Sequence, residues 1–160
     1  MKDLAIHSAK WVLRKYADDK AFASDTPFEI SEIDGNVLLN EGITVLQALL
    51  IGGAGTAYSN ANAYLGVGDS NTAEAASQTG LQAASNKTYK AMEASYPSTA
   101  SQTTTWRAVF GSTDANYAWE EFTLVNASTD TGDNLNRKVS SQGTKASGQT
   151  WTLDLAITFS

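Results

Sequence analysis

The chain has 160 residues, enough for one domain with a sizeable core, and 42% of them are hydrophobic, a globular level. Asp and Glu outnumber Lys and Arg by 17 to 11, a net charge of −6 that argues against direct binding of nucleic acid through its phosphates. There is no cysteine, so disulfides, thiolate zinc clusters and thiol catalysis are excluded together.

The opening stretch, MKDLAIHSAKWVLRKYADDK, has no apolar core of signal-peptide length, and no run reaches the roughly 20 apolar residues of a spanning helix. The expectation is a protein made in the cytoplasm, with no membrane partner. Leu4, Ile6, Ala9, Val12 and Leu13 half-fit a helical period, but the crowding of Trp, Val and Tyr favours a strand over Ser8–Tyr16. Ala17–Lys20 reads as a turn. Phe28, Ile30 and Ile33 form a second extended segment after Pro27, closed by Asp34-Gly35. Residues 1–34 therefore read as an N-terminal β ribbon or arm, and 35–160 as a single β-rich domain.

That ribbon has two readings, as the first hairpin of the domain or as an arm that reaches a neighbour. On the second, Trp11, Leu13, Arg14, Tyr16, Phe22 and Phe28 are the candidate partner-binding residues. Large apolar groups on a free ribbon need cover, and Lys2, Lys10, Arg14, Lys15 and Lys20 place positive charge among them.

The stretch 35–53, GNVLLNEGITVLQALLIGG, has the longest helical period of the chain. Ile43, Leu46 and Leu50 share one stripe and Val45 and Leu49 a second; Asn40 suits a cap, Glu41 the positive end of the dipole and Gly52-Gly53 the stop. This is the one main helix expected, near residues 40–51. Its wide apolar face must pack on strands, because a helix this short is marginal alone.

Tyr64, Leu65 and Val67 form a short strand, and 69–86 reads as a long surface loop with one helical turn around Ala73–Ser77. Lys87–Met92 resumes as a strand. QTTTWRAVF at 102–110 and WEEFTLVN at 119–126 are β-branched and aromatic, Leu135–Val139 is short, and TWTLDLAITFS at 150–160 alternates strictly. Trp151, Leu153, Leu155, Ile157 and Phe159 share one of its faces. Strands at this spacing predict a mainly β fold, an antiparallel β-sandwich or jelly-roll-like domain. The expected core is Trp106, Phe110, Trp119, Phe122, Leu124, Trp151, Leu153, Leu155 and Ile157, with Leu46 and Leu50 from the helix.

Little points to catalysis. His7 is the single histidine and no nucleophile elbow is present. Gly52-Gly53-Ala54-Gly55-Thr56 follows a helix and has no lysine after it, so it is not a phosphate loop. Glu120 and Glu121 are adjacent and face opposite ways on a strand. Asp130-Thr-Gly-Asp133 lacks the EF-hand order and reads as an acidic turn. No catalytic, cofactor or metal residue is expected, and no cofactor. Trp106, Trp119 and Trp151 read as core, not as a sugar platform.

GNVLLNEGI (35–43), ANAYLGVGDS (61–70), RAVFGSTDANYAWEEFTLVN (107–126) and LNRKV (135–139), in that order, together resemble small virion proteins of tailed bacteriophages. The stretch from Ala118 to Val139 is also similar to the sheet of tail-collar and fibre proteins. The resemblance implies a non-enzymatic structural protein located in the virion. A capsid decoration, or cement, protein bound to the major capsid protein or another virion protein comes first. A homo-oligomer, a trimer being one form, goes with that reading. A tail or tail-fibre component is the alternative, and an enzyme acting on host polysaccharide the third reading.

Overall fold

The computed structural model describes residues 7–160; Lys2, Leu4 and Ile6 lie outside the described residues. Among the described residues, two antiparallel five-stranded sheets face each other, with two helices beside them, a β-sandwich arrangement. The first sheet has the order β2-β1-β10-β7-β6, from β2 (Glu29–Asp34), β1 (His7–Tyr16), β10 (Thr150–Phe159), β7 (Thr103–Phe110) and β6 (Ser98–Ala100). The second has the order β3-β9-β8-β4-β5, from β3 (Val37–Leu38), β9 (Asn134–Val139), β8 (Glu121–Val125), β4 (Tyr64–Gly68) and β5 (Lys87–Ala91).

The strict alternation of 150–159 becomes the spine of the first sheet. Its whole length pairs with β1, from His7 opposite Phe159 to Tyr16 opposite Thr150. The first strand of the segment read as a ribbon, β1, is therefore interior to the sheet, flanked by β10 and β2. Trp11 and Leu13 point inward opposite Leu155 and Leu153, and both are fully buried. β1 and β2 pair as a hairpin within this sheet, and Ala9, Trp11, Leu13 and Ile33 belong to the common core.

Between the sheets lies an aromatic cluster. Trp119, just ahead of β8, meets Phe110 of β7 at 4.8 Å, Trp151 of β10 at 4.9 Å and Phe122 of β8 at 6.2 Å, all edge-to-face, and Trp11 leans on Phe122 at 5.7 Å. Leu65, Val67, Leu124, Leu153 and Leu155 fill the space around these rings. All nine strand residues expected in the core are buried.

Helix α2 (Asn40–Leu50) differs from expectation in its start and its face. Leu39, not Asn40, is the N-cap, and no side chain caps it. Glu41 turns away to accept the Asn134 amide at 2.7 Å, and Gly42 sits so close to β9 that a Cβ there would lie 2.4 Å from the Leu135 Cα. That approach selects Gly42 and Val45 as the buried residues and rolls Leu50 out, leaving it 86% exposed. Leu46 and Leu49 are partly buried against the core. The turn expected at 17–20 continues into a one-turn helix, α1 (Asp19–Ala23), whose cap Asp18 accepts the Ala21 amide.

The outer face of the second sheet is covered by the segment 69–86. Glu121 of β8 and Arg137 of β9 are fully buried there as an ion pair at 2.7 Å. Glu121 also accepts the amides of Gln82 and Ala83, and Arg137 donates to the Thr72 carbonyl and Gln78, so the loop is tied down at both ends. Buried Leu81 and Ala83 complete the cover. The loop is thus a lid on a sheet rather than a free surface segment, because two charges inside need several partners.

These layers fix a ranking of stabilities. Leu155→Ala should cost about 2–5 kcal/mol and Gly42→Ala about 1–3 kcal/mol from overpacking, whereas Leu50→Ala should stay within about 0.5 kcal/mol. Urea unfolding of the three variants measures this, and a Leu50 variant weaker than the Leu155 variant would contradict the layering.

Alkaline stability follows from three tyrosines. Burial, ahead of nearby carboxylates, pushes Tyr58 and Tyr89 above the ordinary phenol value, and burial pushes Tyr117 up to about 12. The folded state resists ionisation that the unfolded chain undergoes near pH 10, so the neutral phenols' contribution is complete below about pH 10 and is lost as pH rises further. Tyrosinate absorbance should rise in two separated phases, the later one coinciding with loss of the β-sheet circular dichroism signal. A single early phase with the fold intact would contradict it.

Candidate functional site

The second sheet is lidded, but the outer face of the first is only partly covered, and the register determines what it presents. Ile30, Arg14, Thr152 and Val109 stand in one cross-strand row, and Glu32, Val12, Asp154 and Arg107 in the next. A carboxylate in the middle of a sheet face needs cations beside it. Asp154 obtains two. Arg107 donates to it through Nε at 2.6 Å and Nη2 at 2.5 Å, and Arg14 through Nη1 at 3.0 Å. The fork from Arg107 is bidentate, the stronger geometry for such a pair. The hydrogen bond to Asp154 holds Arg107 above its ordinary range, against the opposing pull of burial.

Two irregular segments wall this row into a groove of about 390 Å³. On one side is the turn carrying α1. Phe22 packs edge-to-face on Tyr16 at 5.3 Å, and the Tyr16 hydroxyl donates to Asp25 at 2.8 Å. Burial first, and then Asp25, raises the Tyr16 phenol above its usual value. On the other side is the segment after β5. The Glu93 amide bonds the Arg107 carbonyl, Asn60 donates to the Tyr96 carbonyl at 2.6 Å, and the Tyr96 ring lies 4.9 Å from the Arg107 guanidinium. The groove thus has a charged, satisfied floor and aromatic walls.

The six residues expected to bind a partner separate here. Trp11 and Leu13 are core residues and are corrected to that role, because inward register positions on an interior strand face the second sheet. Tyr16 is 3% exposed and serves as packing beneath Phe22. Arg14 lies on the groove floor and Phe22 on its wall. Phe28 is outside the groove, 55% exposed beside Lys15 and Trp151. Asp154, Arg107, Tyr96 and Ile30 were not expected. Asp154 was visible as the single charge inside an alternating strand, but its partners depend on a register that one sequence does not display.

Other candidate chemistry is occupied by structure. Asp130 accepts from Lys87 and from the Tyr89 hydroxyl, so the acidic turn staples β5 to the rest. Glu120 accepts the Ser141 hydroxyl, and Glu121 is buried with Arg137. Among the described residues, no three of His, Cys, Asp or Glu converge as a metal site.

Beside the groove, strand β2 forms the edge of the sheet. Ile30 on it is 56% exposed, next to Phe28 just before it. Comparisons with protein families, with curated proteins and with solved structures return no match for this chain. Fold and site together define a two-sheet β domain whose first sheet has a partly covered outer face and the edge strand β2 beside it.

The groove floor makes a direct prediction. Asp154→Asn removes the charge shared by Arg14 and Arg107, and should cost about 1–3 kcal/mol, less at high salt as the two cations are screened. Denaturant unfolding at two ionic strengths reads this out; unchanged stability at low salt would mean the three groups do not act together.

Proposed function

We propose that the chain is a structural, non-enzymatic protein of a tailed-phage virion, made in the host cytoplasm, that seats the open edge and face of its first sheet on another virion protein. The observation that carries the docking part is the pair Phe28 and Ile30, both more than half exposed at a strand edge. Large apolar groups beside an unpaired edge favour cover by another surface, and the carboxylates of the same strand restrict which surface that is. The virion part is supported by the ordered resemblance of 35–43, 61–70, 107–126 and 135–139 to phage structural proteins. Capsid decoration, with the major capsid protein as partner and the chain as a homo-oligomer, is the leading assignment. A polar, weakly charged surface suits wet contacts on a repeating lattice.

The test is mass spectrometry of separately purified heads and tails, followed by assembly with a Phe28→Ser, Ile30→Ser double variant. The chain should be found in heads in many copies. The variant should keep its melting temperature and be recovered with heads at well under half the wild-type amount, roughly what loss of about 1 kcal/mol or more of contact produces. Recovery in tails alone would select the tail or fibre-collar role. Absence from both particles, or release of reducing sugar from host polysaccharide, would overturn the proposal.

A further inference from the structure

Strand β2 is an edge, and its hydrogen-bonding phase can be read. The amide of Gly35 bonds the carbonyl of Ala9, and the pairing of β1 with β2 runs in constant register from Lys10–Asp34 to Lys15–Glu29. In an antiparallel ladder, bonded and non-bonded pairs alternate. Gly35, Ile33 and Ser31 therefore spend their backbone groups on β1. Ile30, Glu32 and Asp34 aim their N–H and C=O away from it, along the open edge.

The side chains along that edge are of one sign. Glu29, Glu32 and Asp34 are three carboxylates in the six residues of β2, with no cation among them. Pairing of two β2 edges from two copies would set carboxylates against carboxylates, which is destabilising. The strand that β2 does accept, on its inner side, is the basic and apolar β1. There Lys10 meets Glu32 at 2.5 Å and Lys15 meets Glu29 at 2.7 Å. The edge thus already selects, within its own sheet, a strand of apolar residues interspersed with cations. Each carboxylate can accept from a second cation, having about four lone-pair directions.

We propose that the open edge of β2 is the recognition site for a basic, extended segment of a partner protein, added as a sixth strand antiparallel to β2. The partner segment carries cations opposite Asp34 and Glu32 and an apolar residue opposite Ile30, which reads basic–x–basic–x–apolar from its N-terminal side. Main-chain bonds supply affinity, and the outward-facing row on the sheet supplies selection. This deepens the docking half of the function above and is independent of where in a virion the protein sits.

The experiment uses the whole chain, labelled with nitrogen-15, and the end-blocked peptide Thr-Lys-Thr-Lys-Thr-Ile-Thr. Binding should shift the amides of Ile30, Glu32 and Asp34 and slow their hydrogen exchange, and it should weaken with salt. Glu32→Pro removes an N–H that the fold does not use, a substitution edge strands tolerate. It should keep the melting temperature and bind about tenfold or more weakly. A peptide N-methylated at both lysines makes the same test without touching the fold and should not bind. No shift at these amides overturns the proposal, as does equal binding of a peptide with glutamate for lysine or of the methylated peptide. Dimerisation through β2 without peptide would also overturn it, by giving the edge to a second copy. A failed peptide with the chain still found in heads would remove this inference alone.

Discussion

Trp119 links the two sheets more directly than any strand does. It belongs to neither ladder, yet its backbone is fixed by the Gly143 carbonyl and the Gln142 amide, and its indole N–H donates to the Ala115 carbonyl at 3.0 Å. Its ring is thereby presented to Phe110 and Trp151 from one sheet and to Phe122 from the other. Edge-to-face pairs of this kind add to the area they bury, and they constrain the spacing of the layers in a way that aliphatic packing does not. The segments 111–118 and 140–149, polar and irregular as sequence, are ordered because they hold this one ring. Lys145 belongs to the same arrangement. It is buried, its ammonium donates to the Gly111 carbonyl and to Asn116, and burial lowers its affinity for a proton.

With the inner faces filled in this way, the two outer faces are resolved differently. On the second sheet, Gly66 and Gly68 leave room for large neighbours: a Cβ at Gly66 would lie 2.7 Å from the Tyr89 ring. The buried Glu121–Arg137 pair then anchors a long loop across the face. On the first sheet, one carboxylate is shared by two arginines and the cover is incomplete. An ion pair sealed inside is costly to break but contributes little by existing, so its main effect is to fix the position of the loop. The half-open Arg14–Asp154–Arg107 row keeps its cations solvated on one side.

The sequence period placed most strands within a residue or two, since β10, β7 and β8 carry strong alternation or β-branched runs. It missed β6, whose Ser-Thr-Ala carries no large apolar residue, and the two-residue β3, and it shortened the turn that becomes α1. The face of α2 was misread because Leu50 fits the stripe through Ile43 and Leu46. What decides the face is the close approach at Gly42, a tertiary contact with no trace in periodicity. The groove was largely illegible for a similar reason. Arg14, Arg107 and Asp154 are distant in the chain, and only the pairing of β1 and β7 on either side of β10 makes them neighbours. Trp11 and Leu13 were legible as apolar strand residues, but whether a strand is an arm or an interior member depends on β10, at the far end of the sequence.

That last pairing has a consequence during synthesis. β1 leaves the ribosome well before β10, its partner along the full ten-residue length. At the usual elongation rates, roughly 5–20 residues per second, the interval is on the order of ten seconds. Throughout it, Trp11 and Leu13 can find β2 on one side but nothing on the other. The first sheet therefore cannot assemble vectorially, strand by strand, and closes only once β10 has been made. Until then the unfinished first sheet is exposed to holding chaperones and to neighbouring nascent copies, and a stop before Thr150 leaves that sheet without its central strand.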